Sequence, residues 1–358
     1  MRTLAVINQK GGCGKTTIAI HVSGALARLG KRVLLVDMDP QAHASLGLGI
    51  AGEDQRVTSY ELLSDPHVTA MNATQEVQPG LWIIPSSTAL SGIEQEFSRE
   101  AGREERLVRK LARLQSDAFD VVVMDCPPGV GLLTFNALVA ADEVLIPVDA
   151  SLFSLNGLAR LRETLDVIET ELKHPFRVHV VCNNVDTRTN FSNHMLEEMS
   201  SRHAGSLLES FISNSVRLKE AAVRGVTIFD LDASSKPALQ FLALARELTD
   251  RMPRIETRNM QAWMEQLHGP RRIAEGVLFT LDAPEASSVA VTGEFNDWQR
   301  GGEPLTRDAE DGLWKVVLDI PRGEYEYRFI VDGLWMRDPQ NQDYVRNGFG
   351  QENSLLVV

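Results

Sequence analysis

The chain has 358 residues, with 36 lysines and arginines against 49 aspartates and glutamates, a formal net charge of −13 at pH 7. This length predicts two or three domains, and 43% hydrophobic with 24% charged residues excludes a disordered chain. No uninterrupted apolar run reaches the roughly 18 residues of a membrane-spanning helix, and the acidic balance argues against indiscriminate coating of nucleic acid.

Strand-like apolar runs alternate with amphipathic helical patterns up to about residue 270. The runs that predict strands are Thr3–Asn8, Val33–Asp37, Leu81–Pro85, Val121–Asp125, Glu143–Val148 and Val178–Asn183, and those that predict helices are Thr16–Leu29 and Leu158–Leu172. Such alternation of strands buried on both faces with helices is typical of an α/β domain with a mainly parallel sheet. We predict this domain over residues 1–252.

A glycine-rich loop, Lys10–Thr17, lies directly between the first strand and the first helix and reads KGGCGKTT. Gly11, Gly12 and Gly14 let successive backbone N–H groups point inward at phosphate oxygens, and the helix N-terminus adds its dipole. The loop therefore predicts a nucleotide site. The residues expected to line the nucleotide are Lys10, Gly11, Gly12, Cys13, Gly14, Lys15, Thr16 and Thr17.

Two side chains of this loop carry the expected phosphate and metal chemistry. Lys15 can reach the β- and γ-phosphates, and the Thr16 hydroxyl is placed to bind Mg²⁺. The common spacing GxxxxGK[ST] is not kept, because Gln9 stands at its first glycine and Lys10 is added. ATP and Mg²⁺ are the predicted cofactors.

Carboxylates follow two of the predicted strands. Val33–Gln41 reads VLLVDMDPQ and Val121–Gly129 reads VVVMDCPPG. Ligands bind beside the carboxyl ends of parallel strands, so Asp125 is the expected Mg²⁺ ligand, directly or through water, and Asp39 is placed to orient the attacking water. A helix N-cap or turn role is the structural alternative for each aspartate.

These motifs resemble those of the ParA/MinD family of deviant Walker ATPases over roughly residues 1–250. The loop matches the family's KGGxGKTT, and the two acidic segments resemble VLLxDxDPQ and DCPPG. Phe211–Ala221, reading FISNSVRLKEA, is similar to IPRNVRLSEA, and Asp186–Thr189 is similar to the DxRT of chromosomal ParA proteins. The ParA branch is the closer fit.

The resemblance implies that two subunits close face to face around two ATP molecules. Lys10 would cross to the partner's phosphates, where a cation is needed to offset the negative charge of phosphoryl transfer. Lys10, Lys15 and Asp39 match the family's catalytic positions, and Asn183 is expected to contact adenine. An ATP-dependent homodimer and a ParB-like activating partner are the implied assemblies.

ParA proteins commonly bind DNA without sequence preference, through basic residues that are partly missing here. The family's IPRNVR and DPRSRGA correspond to 212–217 and 232–238, which keep fewer basic residues. The candidates for a remaining DNA patch are Arg217, Lys219, Arg224 and Lys236. Ordinary solvated surface charge is the alternative.

A helical linker is predicted at residues 253–270. Arg254–His268 carries four apolar residues at helical spacing, Met260, Trp263, Met264 and Leu267, and Gly269 and Pro270 end the pattern. Packing against one domain is the favoured interpretation. A membrane-surface helix is disfavoured, because the basic and acidic residues of this segment balance.

Short alternating strands predict a small all-β immunoglobulin-like sandwich at residues 271–358. The strands are Ser288–Thr292, Leu313–Ile320, Tyr325–Val331 and Ser354–Val358. Val291–Trp298 is similar to the SGSFNNW segment of the glycogen-binding domain of AMP-activated protein kinase β subunits, an isoamylase-type carbohydrate-binding module. Gly323–Trp335, reading GEYEYRFIVDGLW, resembles its GEHQYKFFVDGQW.

The module has side chains suited to an α-glucan. Trp298 and Trp335 offer flat apolar faces to pyranose rings, and Arg328 and Asn353 offer directional hydrogen bonds. The resemblance places Phe349 where the family has an apolar residue that pushes into the glucan coil. Packing of both tryptophans in the sandwich core is the alternative. No paired acids mark a glycosidase, so binding without cleavage is favoured.

The leading hypothesis is an ATPase whose dimer cycle positions or partitions a glucan-associated cargo. One alternative is a DNA or plasmid segregation ATPase whose β module docks a protein. Another is a nucleotide switch that regulates polysaccharide synthesis. Three widely spaced cysteines without a CxxC pair fit a reducing cytoplasm, so we expect a cytoplasmic protein associated with the nucleoid or a polysaccharide.

Overall fold

The computed structural model describes residues 1–50, 57–98, 100, 102–114, 118–149, 152–172, 176–203, 205–251, 270–273, 276–308, 312–339, 341, 343–346 and 351–358. Two compact units are distinguished, Met1–Arg258 and Asn259–Val358. The helix predicted at Arg254–His268 lies outside the described residues, so the linker remains a prediction.

The first unit is built on an eight-stranded sheet. Its strands are β1 (Arg2–Val6), β2 (Val33–Asp37), β3 (Gln75–Gln78), β4 (Leu81–Ile84), β5 (Val121–Asp125), β6 (Glu143–Asp149), β7 (Arg177–Val185) and β8 (Leu207–Ser213). The order is β3-β4-β2-β5-β1-β6-β7-β8, and only β3 and β4 pair antiparallel. The predicted mainly parallel sheet is confirmed.

Helices connect these strands. They are α1 (Lys15–Arg28), α2 (His43–Gly47), α3 (Ser59–Ser64), α4 (Ala70–Ala73), α5 (Ile93–Glu96), α6 (Arg106–Ala112), α7 (Leu132–Ala140), α8 (Leu152–Leu172), α9 (Asn190–His203), α10 (Val216–Arg224), α11 (Ile228–Asp232) and α12 (Lys236–Asp250). Buried residues of α1 and α12, such as Ile18 and Phe241, join buried strand residues in one core. No described helix has the length and apolar character needed to cross a membrane.

The strand boundaries explain where the loop begins. β1 ends at Val6, two residues before the predicted end at Asn8, because the chain already turns toward the glycine-rich loop. The side-chain amide of Asn8 donates to the carbonyl of Pro147 at 2.7 Å, and the backbone N–H of Lys10 donates to the Asn8 side chain at 3.0 Å. Asn8 therefore ties the start of the loop to β6.

The second unit is entirely β. Its strands are β9 (Arg271–Ile273), β10 (Gly276–Leu281), β11 (Val289–Gly293), β12 (Glu303–Pro304), β13 (Thr306–Arg307), β14 (Trp314–Leu318), β15 (Glu324–Val331), β16 (Leu334–Met336), β17 (Tyr344–Arg346) and β18 (Glu352–Val357). One antiparallel sheet has the order β13-β14-β10-β9. The other has the order β12-β11-β15-β18-β17, with β16 pairing β15. The predicted all-β fold is confirmed, and its strands pair antiparallel.

The period-two pattern of β15 decides which face of its sheet is buried. Tyr327 and Phe329 are completely buried, and the Tyr327 ring lies 5.3 Å from the ring of Phe279 on β10 in an edge-to-face contact. Arg328, which lies between Tyr327 and Phe329, consequently belongs to the opposite, outer face of this sheet.

A two-residue turn joins β15 to β16. Asp332 and Gly333 both have positive φ, 47° and 84°, which matches the turn type that suits the right-handed twist of paired strands. The Asp332 carboxylate accepts hydrogen bonds from the N–H groups of Ser287 and Ser288, at 3.0 and 2.8 Å. This turn sets the pairing of β16 with β15, in which Trp335 is opposite Ile330.

Candidate nucleotide site and candidate carbohydrate surface

Strand register gathers the acidic residues at one edge of the first unit. Asp125 pairs in register with Val6 on β1 and with Asp37 on β2, so the two carboxylates end neighbouring strands. The loop that follows β1 lies at the same edge because these strands are parallel. The expected grouping of loop and strand-end acids is therefore present.

The loop curves through two left-handed glycines and is held by an asparagine. Gly12 and Gly14 have φ of 77° and 89°. Asn183 is buried and donates its side-chain amide to the carbonyl of Cys13 at 2.9 Å. A Cβ atom on Gly14 would lie only 2.1 Å from that amide nitrogen. Asn183 thus supports the loop directly, while its contact with adenine remains a prediction.

The two loop lysines have different surroundings. The Lys15 side chain is buried, and its ammonium lies 3.5 Å from the carbonyl of Lys10. Lys10 is more exposed, and its ammonium donates to the Asp149 carboxylate at 2.7 Å. Asp149 was not predicted from the sequence. It is the last residue of β6, so the strand-end position that singled out Asp125 could also have found it.

The surroundings of the Asp125 carboxylate suit the binding of a cation. It is fully buried, and neither side-chain oxygen has a hydrogen bond of ordinary geometry among the described residues, although the Thr16 hydroxyl lies close enough to favour its charged form. Burial and the nearby Asp37 charge raise the pKa of Asp125 well above its usual value, while Thr16 and Lys15 oppose the rise. Such a buried carboxyl fits the predicted Mg²⁺, which would neutralise it.

A small protein ligand set is also what Mg²⁺ requires. The part of the chain described by the structure has no group of three or more histidine, cysteine, aspartate or glutamate residues arranged to hold a metal ion. Mg²⁺ usually takes one or two protein oxygens and completes its shell with phosphate and water. Asp125 and Thr16 fit that requirement.

Asp37 has a structural role at this edge. Its carboxylate accepts from the N–H and the hydroxyl of Ser45 on α2, at 2.8 and 2.7 Å, and from the N–H of Asp39 at 3.1 Å. Burial raises the pKa of Asp37 to about 6. Asp37 therefore anchors both α2 and the segment that carries Asp39.

Asp39 takes part in a turn of its own. One oxygen of its carboxylate accepts from the N–H of Gln41 at 2.9 Å, and the side chain is buried. The turn role that the sequence left open is thus present at Asp37 and Asp39. The role of Asp39 in orienting water remains a prediction.

The four candidate DNA residues are all exposed, but they differ in their partners. Arg217 lies 3.4 Å from Glu220 and 3.8 Å from Asp232, so part of its charge is offset. Lys219, Arg224 and Lys236 form no ion pair with any residue that the structure describes. The DNA patch therefore remains a prediction, with the charge of Arg217 partly offset.

An aromatic pair lies on the outer face of the second unit. Trp298 and Trp335 are stacked, with ring centroids 6.2 Å apart and planes 18° apart. Trp335 is 39% exposed, and neither ring belongs to the sandwich core. The core tryptophan is Trp314, whose indole N–H donates to the carbonyl of Ala283 at 3.0 Å. The core alternative for the stacked pair is therefore disfavoured.

Arg328 lies beside this pair. Its guanidinium donates to the Trp335 carbonyl at 3.0 Å and to the Gln351 side chain at 2.6 Å, while its Nε is buried without a partner among the described residues. Asn353 shares the outer face but is only 4% exposed, and its amide donates to Glu326 at 2.7 Å. Phe349 lies outside the described residues. Glu326 and Gln351 were not predicted.

The turn that presents Trp298 has an unusual backbone. Asp297 and Trp298 have φ of 51° and 53°, a conformation that costs an L-residue about 1–2 kcal/mol. Asn296 supports this turn by accepting from the N–H of Gly293 at 3.0 Å and from the hydroxyl of Thr292 at 3.1 Å. Strain of this kind clusters at ligand sites.

Comparison with known proteins gives matches to both units. The family described as "AAA domain" matches residues 1–178, and the family described as "Glycogen recognition site of AMP-activated protein kinase" matches residues 277–358. The chromosome partitioning protein ParA of Myxococcus xanthus is 38% identical over 252 residues, which cover 70% of this chain and 88% of that protein.

Two further comparisons involve the first unit. The sporulation initiation inhibitor protein Soj of Bacillus subtilis is 37% identical over 248 residues, covering 69% of this chain and 98% of that protein. The structure of cobyrinic acid a,c-diamide synthase from Mycobacterium smegmatis with bound ADP and magnesium has a TM-score of 0.61 and 32% identity. That match covers 70% of this chain and 95% of the other.

Proposed function

This chain belongs to the ParA/Soj family of partitioning ATPases and carries a carbohydrate-binding module, and we propose that it is an ATPase whose ATP-bound dimer positions a glucan-associated cargo. The observation that carries the proposal is the presence, in one chain, of a complete phosphate loop and a pair of stacked tryptophans, of which Trp335 is exposed and Trp298 half-buried. The first supplies a nucleotide cycle, and the second supplies a surface for sugar rings.

The nucleotide site supports hydrolysis through a division of roles among its side chains. Backbone N–H groups of the loop hold the phosphates, and Lys15 contacts the β- and γ-phosphates. Mg²⁺, held by Thr16 and Asp125, would neutralise charge on the phosphate oxygens. Asp39 orients the attacking water, and Lys10 of one subunit reaches the phosphates bound by the other. Removal of either lysine charge should therefore stop turnover.

The module supports binding without cleavage. The rings of Trp298 and Trp335 are stacked with nearly parallel planes, Arg328 is held next to Trp335, and pyranose C–H groups stack well on apolar ring faces. Individual sugar contacts of this kind are weak. An ATP-bound dimer carries two modules, so a polymer would be held by two sites at once.

Retention on insoluble glycogen or starch tests the module. Wild type should sediment with the polymer, whereas Trp335→Ala and Trp298→Ala should remain largely in the supernatant. Leu334→Ala is a matched control, because Leu334 adjoins Trp335 and is 75% exposed. If wild type and both tryptophan variants stay in the supernatant, the glucan part of the proposal is wrong.

Sedimentation velocity with MgATP tests the dimer. Asp39→Ala should dimerise with ATP and remain monomeric without it, because ATP is bound but not consumed. A persistent monomer of Asp39→Ala at saturating ATP would contradict the dimer cycle.

A phosphate-release assay tests the phosphate loop. The variant Lys15→Ala should release no phosphate from ATP, and unchanged release would contradict the assignment of this loop.

A DNA segregation ATPase with a protein-docking module is a second candidate. Its support is that Lys219, Arg224 and Lys236 are exposed and form no ion pair with a described residue. Phosphate contacts are strongest at low salt, so ATP-bound Asp39→Ala should shift plasmid DNA there if this candidate is right. Imaging the protein in its host beside nucleoid and polysaccharide stains separates the two functions.

A further inference from the structure

Lys10, the first residue of the glycine-rich loop, is bound to its own subunit at two points. Its ammonium donates to the carboxylate of Asp149 at 2.7 Å. Its backbone N–H donates to Asn8, which in turn donates to the carbonyl of Pro147 on β6. Both Asp149 and Pro147 belong to β6, so the same strand receives the side chain and the backbone of Lys10.

Asp149 is positioned by the sheet and belongs to the nucleotide edge. It is in register with Asn183 on β7, the residue that supports the loop at Cys13. The charge of Asp149 also contributes to raising the pKa of the Cys13 thiol, behind burial as the main cause. The Asp149 carboxylate therefore lies beside the phosphate loop of the same subunit.

We propose that Asp149 is a positioning residue that holds Lys10 on its own subunit, in competition with the phosphates of the partner. The inference rests on the proposed dimer, in which Lys10 crosses the interface. Lys10 must then leave Asp149 before it can reach the second nucleotide. Asp149 thereby raises the protein concentration at which the ATP dimer forms and keeps Lys10 ordered until then.

The expected size of the effect follows from exposure. The side chains of Lys10 and Asp149 are 44% and 30% exposed, so water screens the pair and each contact contributes little. Two such pairs separate for each dimer formed. Removing the carboxylate should therefore lower the dimer dissociation constant by about 2- to 30-fold.

Acylation of Lys10 in the full chain without nucleotide tests the ion pair itself. An amine-reactive ester should modify Lys10 several-fold faster in Asp149→Asn than in wild type, as followed by mass spectrometry. Asp149→Glu should restore much of the protection. Asp186→Asn, which removes an exposed carboxylate paired with Arg188 at 2.8 Å, should leave the rate unchanged. Equal rates in wild type and Asp149→Asn would overturn the proposal.

Dimerisation tests the competition. In an Asp39→Ala background with MgATP, Asp149→Asn should dimerise at lower protein concentration, Asp149→Glu should behave like the reference, and Asp186→Asn should have no effect. An unchanged or weaker dimer of Asp149→Asn beside a dimerising reference would overturn this inference alone. A reference that never dimerises would remove the proposed function and the inference together.

Discussion

At the residue scale, the phosphate loop depends on a position where no side chain fits. Gly14 has φ of 89° and lies against the Asn183 amide, whereas nothing lies within 4 Å of a Cβ added to Gly11. The two glycines occupy the same loop but face different surroundings. Only Gly14 is required both for its backbone conformation and for its close contact.

We expect Gly14→Ala to lose nucleotide affinity by at least about tenfold. The new methyl group would displace Asn183 from Cys13, and the left-handed backbone would itself cost about 1–2 kcal/mol. Gly11→Ala is the control, and its affinity should change little. Titration of both variants with a fluorescent ATP analogue measures the difference. Equal affinities of the two variants would contradict the role of the contact.

If Asp125 binds Mg²⁺ as predicted, the binding of magnesium should depend on pH. Burial, followed by the charge of Asp37, raises the pKa of Asp125, so this carboxyl retains its proton at a pH where an ordinary carboxyl has lost it. Mg²⁺ competes with that proton. The affinity for Mg²⁺ with nucleotide should consequently rise with pH, and binding should release protons at any pH where the metal-free carboxyl still holds its proton.

Calorimetric titrations in two buffers of different ionisation enthalpy measure this release. Asp125→Asn should abolish it. Asp120→Asn is a matched control, because bonding to Arg32 lowers the pKa of Asp120 and this carboxylate has no proton to release near neutral pH. A wild-type binding enthalpy that is identical in both buffers would exclude proton release at this site.

At the element scale, two helices meet backbone to backbone beside the nucleotide edge. Gly225 ends α10 with φ of 65°, and a Cβ atom there would lie 2.6 Å from the Cα of Gly49, which follows α2. α2 is itself bound to Asp37 through Ser45. This contact joins the nucleotide edge to the helix that carries Arg217 and Lys219.

Gly225→Ala should therefore destabilise the first unit more than a glycine-to-alanine substitution at a left-handed position that has no close backbone contact. Gly30 is the matched control, since it follows α1 with φ of 82° and nothing lies within 4 Å of an added Cβ. We expect a loss of about 1–2 kcal/mol for Gly30→Ala and about 1–3 kcal/mol more for Gly225→Ala. Denaturant unfolding followed by the helical circular dichroism signal measures both, and equal losses would contradict the contact.

The sequence predicted the elements of this site better than the contacts between them. Buried β-strands and the glycine-rich loop can be recognised from short segments of sequence. Asp125 and Lys15 could therefore be predicted to lie at one edge of the sheet. The bond from Lys10 to Asp149 spans 139 residues, and the bond from Asn183 to Cys13 spans 170. Such pairs depend on which strands become neighbours, and alternation of apolar residues does not determine that order.

At the scale of the whole molecule, charge is distributed unevenly. Residues 1–260 carry 27 basic and 32 acidic side chains, whereas residues 261–358 carry 9 and 17. The shorter part thus holds the larger net negative charge. A neutral glucan pays no electrostatic penalty on such a module, while a nucleic acid would be repelled by it. Recognition by the module should accordingly depend little on salt.

If the proposed function is right, retention on glucan should depend on ATP. In an Asp39→Ala background, MgATP should strengthen retention on glycogen by at least about tenfold, because a dimer presents two modules to one polymer. The matched control adds Lys10→Ala, which should bind as a monomer with or without ATP. Raising the salt concentration should leave both results unchanged, since stacking on Trp298 and Trp335 carries the contact. If the dimer forms but retention on glycogen does not change with ATP, a single module is enough for binding. If high salt abolishes retention, the ligand of the module is charged.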